Sequence, residues 1–150
     1  MSKNHLSRRI LNMDVSATIE MSSKSRILKS KGLDVISLSL GEPDFNTPDL
    51  IKNAAIKAIR ENYSKYPPIA GFQDLKEAIS KKFKKENNIT YNSSEIVVST
   101  GAKQSLANVI LSLINPGDEV LLPTPYWVSY VEQVKLAGGI PIQIPTTIES

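Results

Sequence analysis

A chain of 150 residues that is 41% apolar and 22% charged, with seven glycines and nine prolines, has the composition of a folded domain and not of a collagen-like, mucin-like or acidic disordered segment. A domain of this length buries about 70% of the surface its unfolded chain exposes, enough for one apolar core. With no cysteine and a single histidine, His5, disulfides and thiolate nucleophiles are excluded, and zinc clusters and a serine–histidine–acid triad lack their side chains.

The net charge of +3 is mild, but its distribution is uneven. Residues 1–31 hold seven Lys/Arg against Asp14 and Glu20, and Lys81, Lys82, Lys84 and Lys85 form a second cluster. A solvated helix face accounts for that cluster, with Phe72, Leu75, Ile79 and Phe83 on the opposite side. No apolar run approaches 18 residues, so no membrane span is expected. The opening MSKNHLSRRIL lacks the apolar stretch of a secretory signal, although its Ser and Arg faintly resemble a transit peptide. A cytoplasmic protein is expected.

In chain order, residues 16–31 read as a helix with Ile19, Ile27 and Leu28 apolar and Gly32 at its stop. Val35 to Leu40 alternates and reads as a short strand. It runs into GEPDF (Gly41 to Phe45), where Gly41 reads as a turn glycine of positive φ. Thr47-Pro48-Asp49 then offers an N-cap, a first-turn proline and a first-turn acid, opening a helix with Ile51, Ala54, Ala55, Ala58 and Ile59 on one stripe. A proline-containing loop, Tyr66 to Gly71, precedes a helix from Phe72 to Phe83. From Glu95 the pattern alternates regularly: strand Glu95–Thr100, helix Ala102–Ile114, turn Asn115–Asp118, strand Glu119–Leu122, a helix opening at Pro125 and running to Ala137, a stop at Gly138-Gly139, and a last strand through Ile140, Ile142 and Ile144. Three strands separated by two helices make two right-handed crossovers. The second half is therefore expected to be an open, mainly parallel α/β sheet. No helix follows the last strand to cover that sheet, so an unfinished structural unit is expected, with a small three-stranded module as the alternative.

The chemistry is expected at the carboxyl ends of the strands. Ser99 to Gln104 joins a strand to a helix whose unpaired amides and positive dipole end suit an anion, and the small residues Gly101 and Ala102 let a phosphate approach the backbone. The spacing matches neither common glycine-rich phosphate motif, and a plain structural turn is the alternative. Pro123-Thr124-Pro125-Tyr126-Trp127 ends the next strand on the same sheet edge. Trp127 there suits a flat heteroaromatic ring; a core tryptophan is the alternative. A phosphorylated aromatic cofactor unites the two signals more economically than coincidence.

The runs ISLSLGEPDFNTP, SKYPPIAGFQDLKEAI and STGAKQSLANVILSLINPGDEVLLPTPYWVSYVEQVKLAGG resemble, from about Ser16 onward, the N-terminal part of class I aminotransferases. These are pyridoxal phosphate enzymes of fold type I, and the likeness is to the bacterial aspartate branch, which includes prephenate aminotransferases. The resemblance implies that fold's N-terminal part: a mainly parallel sheet with helices on both faces, incomplete here, with residues 1–46 in the small domain and 47–150 opening the large cofactor-binding domain. Gly101, Ala102 and Lys103 match the turn that holds the cofactor phosphate, Lys103 acting through its backbone amide. Trp127 matches the aromatic residue stacked on the pyridine ring. Gly41 matches a glycine whose main chain lies against the substrate carboxylate, with a turn glycine of positive φ as the alternative, and Tyr66 a tyrosine that reaches across a homodimer interface to the neighbouring subunit's phosphate, with a tyrosine packed in a proline-rich loop as the alternative.

The Schiff-base lysine, the pyridine-holding asparagine and aspartate, and the carboxylate-binding arginine lie beyond Ser150 in the family. The resemblance therefore implies a fragment, itself inactive and without catalytic residues or a metal site. Its parent would be a cytoplasmic aminotransferase moving an amino group between an amino acid, aspartate foremost, and a 2-oxo acid such as 2-oxoglutarate. Prephenate, aromatic and alanine aminotransferases are the alternative within the family. A non-enzymatic basic module binding nucleic acid is the alternative outside it, unsupported by any recognition motif.

Overall fold

The structure is a computed structural model that describes residues 5–148. The first four residues of the opening and Glu149 and Ser150 of the closing run lie outside the described residues. Two compact units are formed, one from Met1–Gly41 with Gly101–Ser150 and the other from Glu42–Thr100. Among the described residues no helix is long and apolar enough to cross a membrane.

The first unit contains a short helix α1 (Arg8–Leu11), α2 (Ala17–Ser30), α5 (Ala102–Leu113), β1 (Glu119–Thr124), α6 (Ser129–Ala137) and β2 (Ile140–Pro145). α2 follows the sequence periodicity, with Ser16 as its N-cap and Glu20 in its first turn. α1 is too short to leave a periodic signal; Ser7 caps it, accepting from the Ile10 amide at 3.4 Å. β1 and β2 pair in parallel, Glu119 opposite Ile140 through Thr124 opposite Pro145, and α6 is the crossover between them. It packs on both strands and on α5, burying Val134 completely. The amino-terminal ends of the strands are laced together: Asp118 accepts from the Asn115 amide at 2.7 Å, Ile140 donates to the Asp118 carbonyl at 2.8 Å, and Gly117 donates to the Gly138 carbonyl at 2.9 Å.

The second unit holds α3 (Asp49–Arg60), α4 (Gln73–Lys82), a π-helical turn (Phe83–Asn87) and a 3-10 turn (Ser93–Glu95). Its core is Ile96, with Tyr63 against Phe72 and Phe83 against Tyr91 at ring separations of 5.9 and 6.4 Å. Lys82 pairs with Glu86 at 3.5 Å and Asn87 at 2.9 Å, which leaves the lysine cluster as a solvated, locally balanced face. The stripe of α3 is not a buried face here: Leu50, Ile51, Ile56 and Ile59 are exposed.

Several expectations need correction. Val35–Leu40 and Glu95–Thr100 are not strands; a ladder needs a neighbour along its length, and among the described residues neither segment pairs in one, although the Val98 amide donates to the Ala70 carbonyl at 3.0 Å. Among the described residues the sheet therefore has two strands and one crossover. Pro48, not Thr47, is the cap of α3, its carbonyl accepting from Ile51 and Lys52. α6 begins at Ser129 rather than Pro125, because Tyr126 is drawn to β2, where its hydroxyl accepts from Gln143 Nε2 at 2.7 Å. Gly41 has no positive φ, and a Cβ there would meet nothing within 4 Å.

Candidate functional site

α5 opens on Gly101, whose φ of 88° and ψ of 163° suit glycine and strain any other residue. A Cβ at this position would touch nothing within 4 Å, so the glycine is demanded by its backbone and not by crowding, and the space before the helix is open. The Gly101 carbonyl accepts from the Gln104 and Ser105 amides at 3.1 and 3.3 Å. The amides of Ala102 and Lys103 donate to nothing among the described residues, and they point out of the positive end of a twelve-residue helix.

Trp127 lies at the carboxyl end of β1, just before α6, with 41% of its surface exposed. The Lys103 ammonium sits 5.6 Å from the centre of its ring. No carboxylate partners that ammonium among the described residues, so a cation, two free amides and an exposed indole share one place. This combination fits an anion joined to a flat aromatic ring: the amides and the dipole take the anion, the indole face takes the ring.

Beside this place lies a cavity of about 470 Å³ whose walls include Met13, Val15, Lys103, Tyr126, Glu132 and Gln133. The chain at Asp14 is pinned across it. Its amide donates to Glu132 at 2.9 Å, and Lys135 Nζ bridges Asp14 and Glu132 at 2.8 and 2.9 Å. The hydrogen bond to Asp14, then that to Glu132, raises the Lys135 pKa above its ordinary value. Neither this ion triad nor Gln133 left a signal in the sequence, because each depends on partners brought together only by folding.

The structure thus brings Gly101, Ala102, Lys103 and Trp127 together. Tyr66 belongs to the other unit, where it is fully exposed beside Tyr63, Lys65 and Phe72. At Gly41 a Cβ would meet nothing within 4 Å, so the glycine is not demanded there by crowding.

The profile of the family described as aminotransferase class I and II matches residues 33–149. The chain belongs to that family. It is 49% identical over 140 residues to a protein of Aquifex aeolicus named as a probable aspartate/prephenate aminotransferase, a match covering 93% of this chain and 36% of the relative. The structure of the Thermus thermophilus aspartate aminotransferase with maleate superposes with a TM-score of 0.93 at 41% identity, over 98% of this chain and 38% of that one. The alanine aminotransferase of Pyrococcus furiosus superposes with a TM-score of 0.89 at 32% identity, over 96% and 37%. The chain therefore spans little more than a third of the length of these relatives. Its α/β arrangement, a small parallel sheet flanked by helices, is part of the fold type I aminotransferase fold, close to the bacterial aspartate aminotransferases.

Proposed function

We propose that the protein to which this chain belongs is a pyridoxal phosphate-dependent aminotransferase that moves the amino group of aspartate to a 2-oxo acid such as 2-oxoglutarate, working as a cytoplasmic homodimer. One observation carries the reading: the free amides of Ala102 and Lys103 and the exposed face of Trp127 are joined in one place through Lys103. When bound, the cofactor supplies an electron-withdrawing ring and a reactive carbonyl through which an amino group is taken up and released. The residues of this chain bind and orient. Gly101, Ala102 and Lys103 would hold the phosphate through backbone donors, and Trp127 would stack on the ring and also form a wall of the substrate site. Gly41 lying along the substrate carboxylate and Tyr66 reaching the partner subunit's phosphate belong to the same proposal, as does a boundary between small and large domains at residues 46 and 47.

The relatives support aspartate first by name, and the aspartate enzyme of known structure is 41% identical against 32% for the alanine enzyme. The likeness to the alanine enzyme keeps a second class I specificity in view, as does the name aspartate/prephenate. The test is a visible-absorbance scan of the purified full protein with and without pyridoxal phosphate, followed by transamination with 2-oxoglutarate against aspartate, alanine, tyrosine and, in the reverse sense, prephenate. Cofactor uptake with preference for aspartate is expected. Absence of cofactor uptake overturns the reading, and preference for another donor overturns its specificity.

A further inference from the structure

Gln133 of α6 is half-buried, and its amide is only half used. Nε2 donates to the Lys103 carbonyl at 2.8 Å, whereas Oε1 is buried without a hydrogen-bond partner among the described residues. An unpaired buried carbonyl is a cost that leucine or methionine at the same position would not carry. The donor therefore has the only task that the amide performs, and its target lies in the first turn of α5.

That target is connected to the mouth of the helix through two rigid peptide planes. The Lys103 carbonyl and the Gln104 amide belong to one planar unit, and the Gln104 amide donates to the Gly101 carbonyl at 3.1 Å. The Gly101 carbonyl shares its plane with the Ala102 amide, one of the two free donors. A hydrogen bond placed on the Lys103 carbonyl thus fixes the tilt of one plane, which fixes the next, and polarises each amide along the chain toward the open end. We propose that Gln133 is a positioning residue for the anion site: from a neighbouring helix it holds the Lys103–Gln104 and Gly101–Ala102 peptides so that the Ala102 amide is aimed before the phosphate arrives. This proposal rests on the reading of the α5 mouth as the phosphate site.

The test uses the full-length protein and pyridoxal phosphate. Gln133→Met keeps the length and apolar stem but removes the donor. Its cofactor dissociation constant, followed by absorbance, is expected to rise roughly three- to tenfold, the effect of one hydrogen bond. One other readout is expected to hold: the unfolding midpoint of the apoprotein, because the unpaired carbonyl is removed with the donor. A merely structural role would instead lower the midpoint and leave cofactor affinity in the surviving folded protein unchanged. Gln133→Leu serves the same comparison if Gln133→Met does not fold. Ala102→Pro is the reference, since it deletes the aimed amide at a position where proline suits a helix. If Ala102→Pro binds cofactor like the wild type, the phosphate reading falls and this proposal with it. If Ala102→Pro loses cofactor while the Gln133 variants keep wild-type affinity, the phosphate reading stands and the role of Gln133 is overturned.

Discussion

The Lys103 ammonium lies 5.6 Å from the centre of the Trp127 ring, linking the first turn of α5 to the segment that enters α6. The two residues are 24 apart in sequence, and each alone has an ordinary explanation: a lysine on a helix, a tryptophan in a core. Their meeting at an open helix end is what supports the proposed cofactor site. Trp127→Ala in the full protein is expected to weaken pyridoxal phosphate binding roughly three- to tenfold, from a loss of about 0.5–1.5 kcal/mol of ring contact. Trp127→Phe should recover most of it. Equilibrium titration by absorbance or fluorescence measures both, and unchanged affinity in folded Trp127→Ala removes the ring from the assignment.

Backbone and side chain contribute unequally at the helix mouth. Lys103→Ala is expected to cost less than about threefold in cofactor affinity, because the amides and the dipole end are unchanged and the exposed ammonium acts through solvent. Ala102→Pro is expected to cost more than about tenfold, since a hydrogen bond to a charged group is worth about 1.5–3 kcal/mol. Cofactor release from the two variants, with circular dichroism to confirm the fold, decides between them. The reverse order would show that the site works by the lysine charge.

The ion triad gives a pH signature. Lys135 has a raised pKa because the Asp14 and Glu132 carboxylates bind its charged form. A raised folded-state pKa means that this stabilisation is fully present below the ordinary lysine value and is lost as pH rises through the folded-state value. Lys135→Met is expected to lower stability by about 0.5–1 kcal/mol at neutral pH and low salt. The difference from wild type should stay level from pH 7 to about pH 10 and shrink above that. Urea denaturation of both proteins across this range, with Asp14→Asn as a companion, measures it; a difference that grows with pH contradicts the geometry.

Val134 is fully buried between α6 and the two-stranded sheet. Val134→Ala should cost about 2 kcal/mol, the transfer energy of its methyl groups plus the space they leave. Chemical denaturation reads the loss. Val97→Ala, at a position 65% exposed, should by contrast stay within about 0.5 kcal/mol.

What the sequence made legible was local. The periodic spacing in α2, α3, α4 and α5, the alternation in β2 and the glycines after α6 each announce their element within a dozen residues, and the structure has them. Val35–Leu40 and Glu95–Thr100 alternate just as well, yet neither is a strand, because alternation prepares a face while a strand also requires a neighbour. The four residues proposed for the site, Gly101, Ala102, Lys103 and Trp127, were picked out by an open helix mouth and an aromatic after a strand, and their roles came from the family resemblance, since the spacing alone matches no phosphate motif. Gln133 was not: a glutamine midway along a helix looks the same whether it faces water or the Lys103 carbonyl. The correction at Gly41 has a similar cause, since a glycine in a turn-rich run need not take the left-handed conformation.

The parallel register divides the sheet into two ends with different freedoms. At the amino-terminal end Asp118, Gly117 and Ile140 are tied together, and a methyl group added at Gly139 would come within 2.8 Å of Ile114 Cγ2 and 3.2 Å of the Asp118 carbonyl. At the carboxyl end the chain leaves β1 into a segment held mainly by side chains before α6 starts. For anyone redesigning this protein, the first end is a foundation, where insertions shift every inward-facing residue of β2 onto the wrong face. At the second, residues 125–128 follow the paired strand, and changes there reach the ligand side while the backbone pairing of β1 with β2 is left unaltered in register.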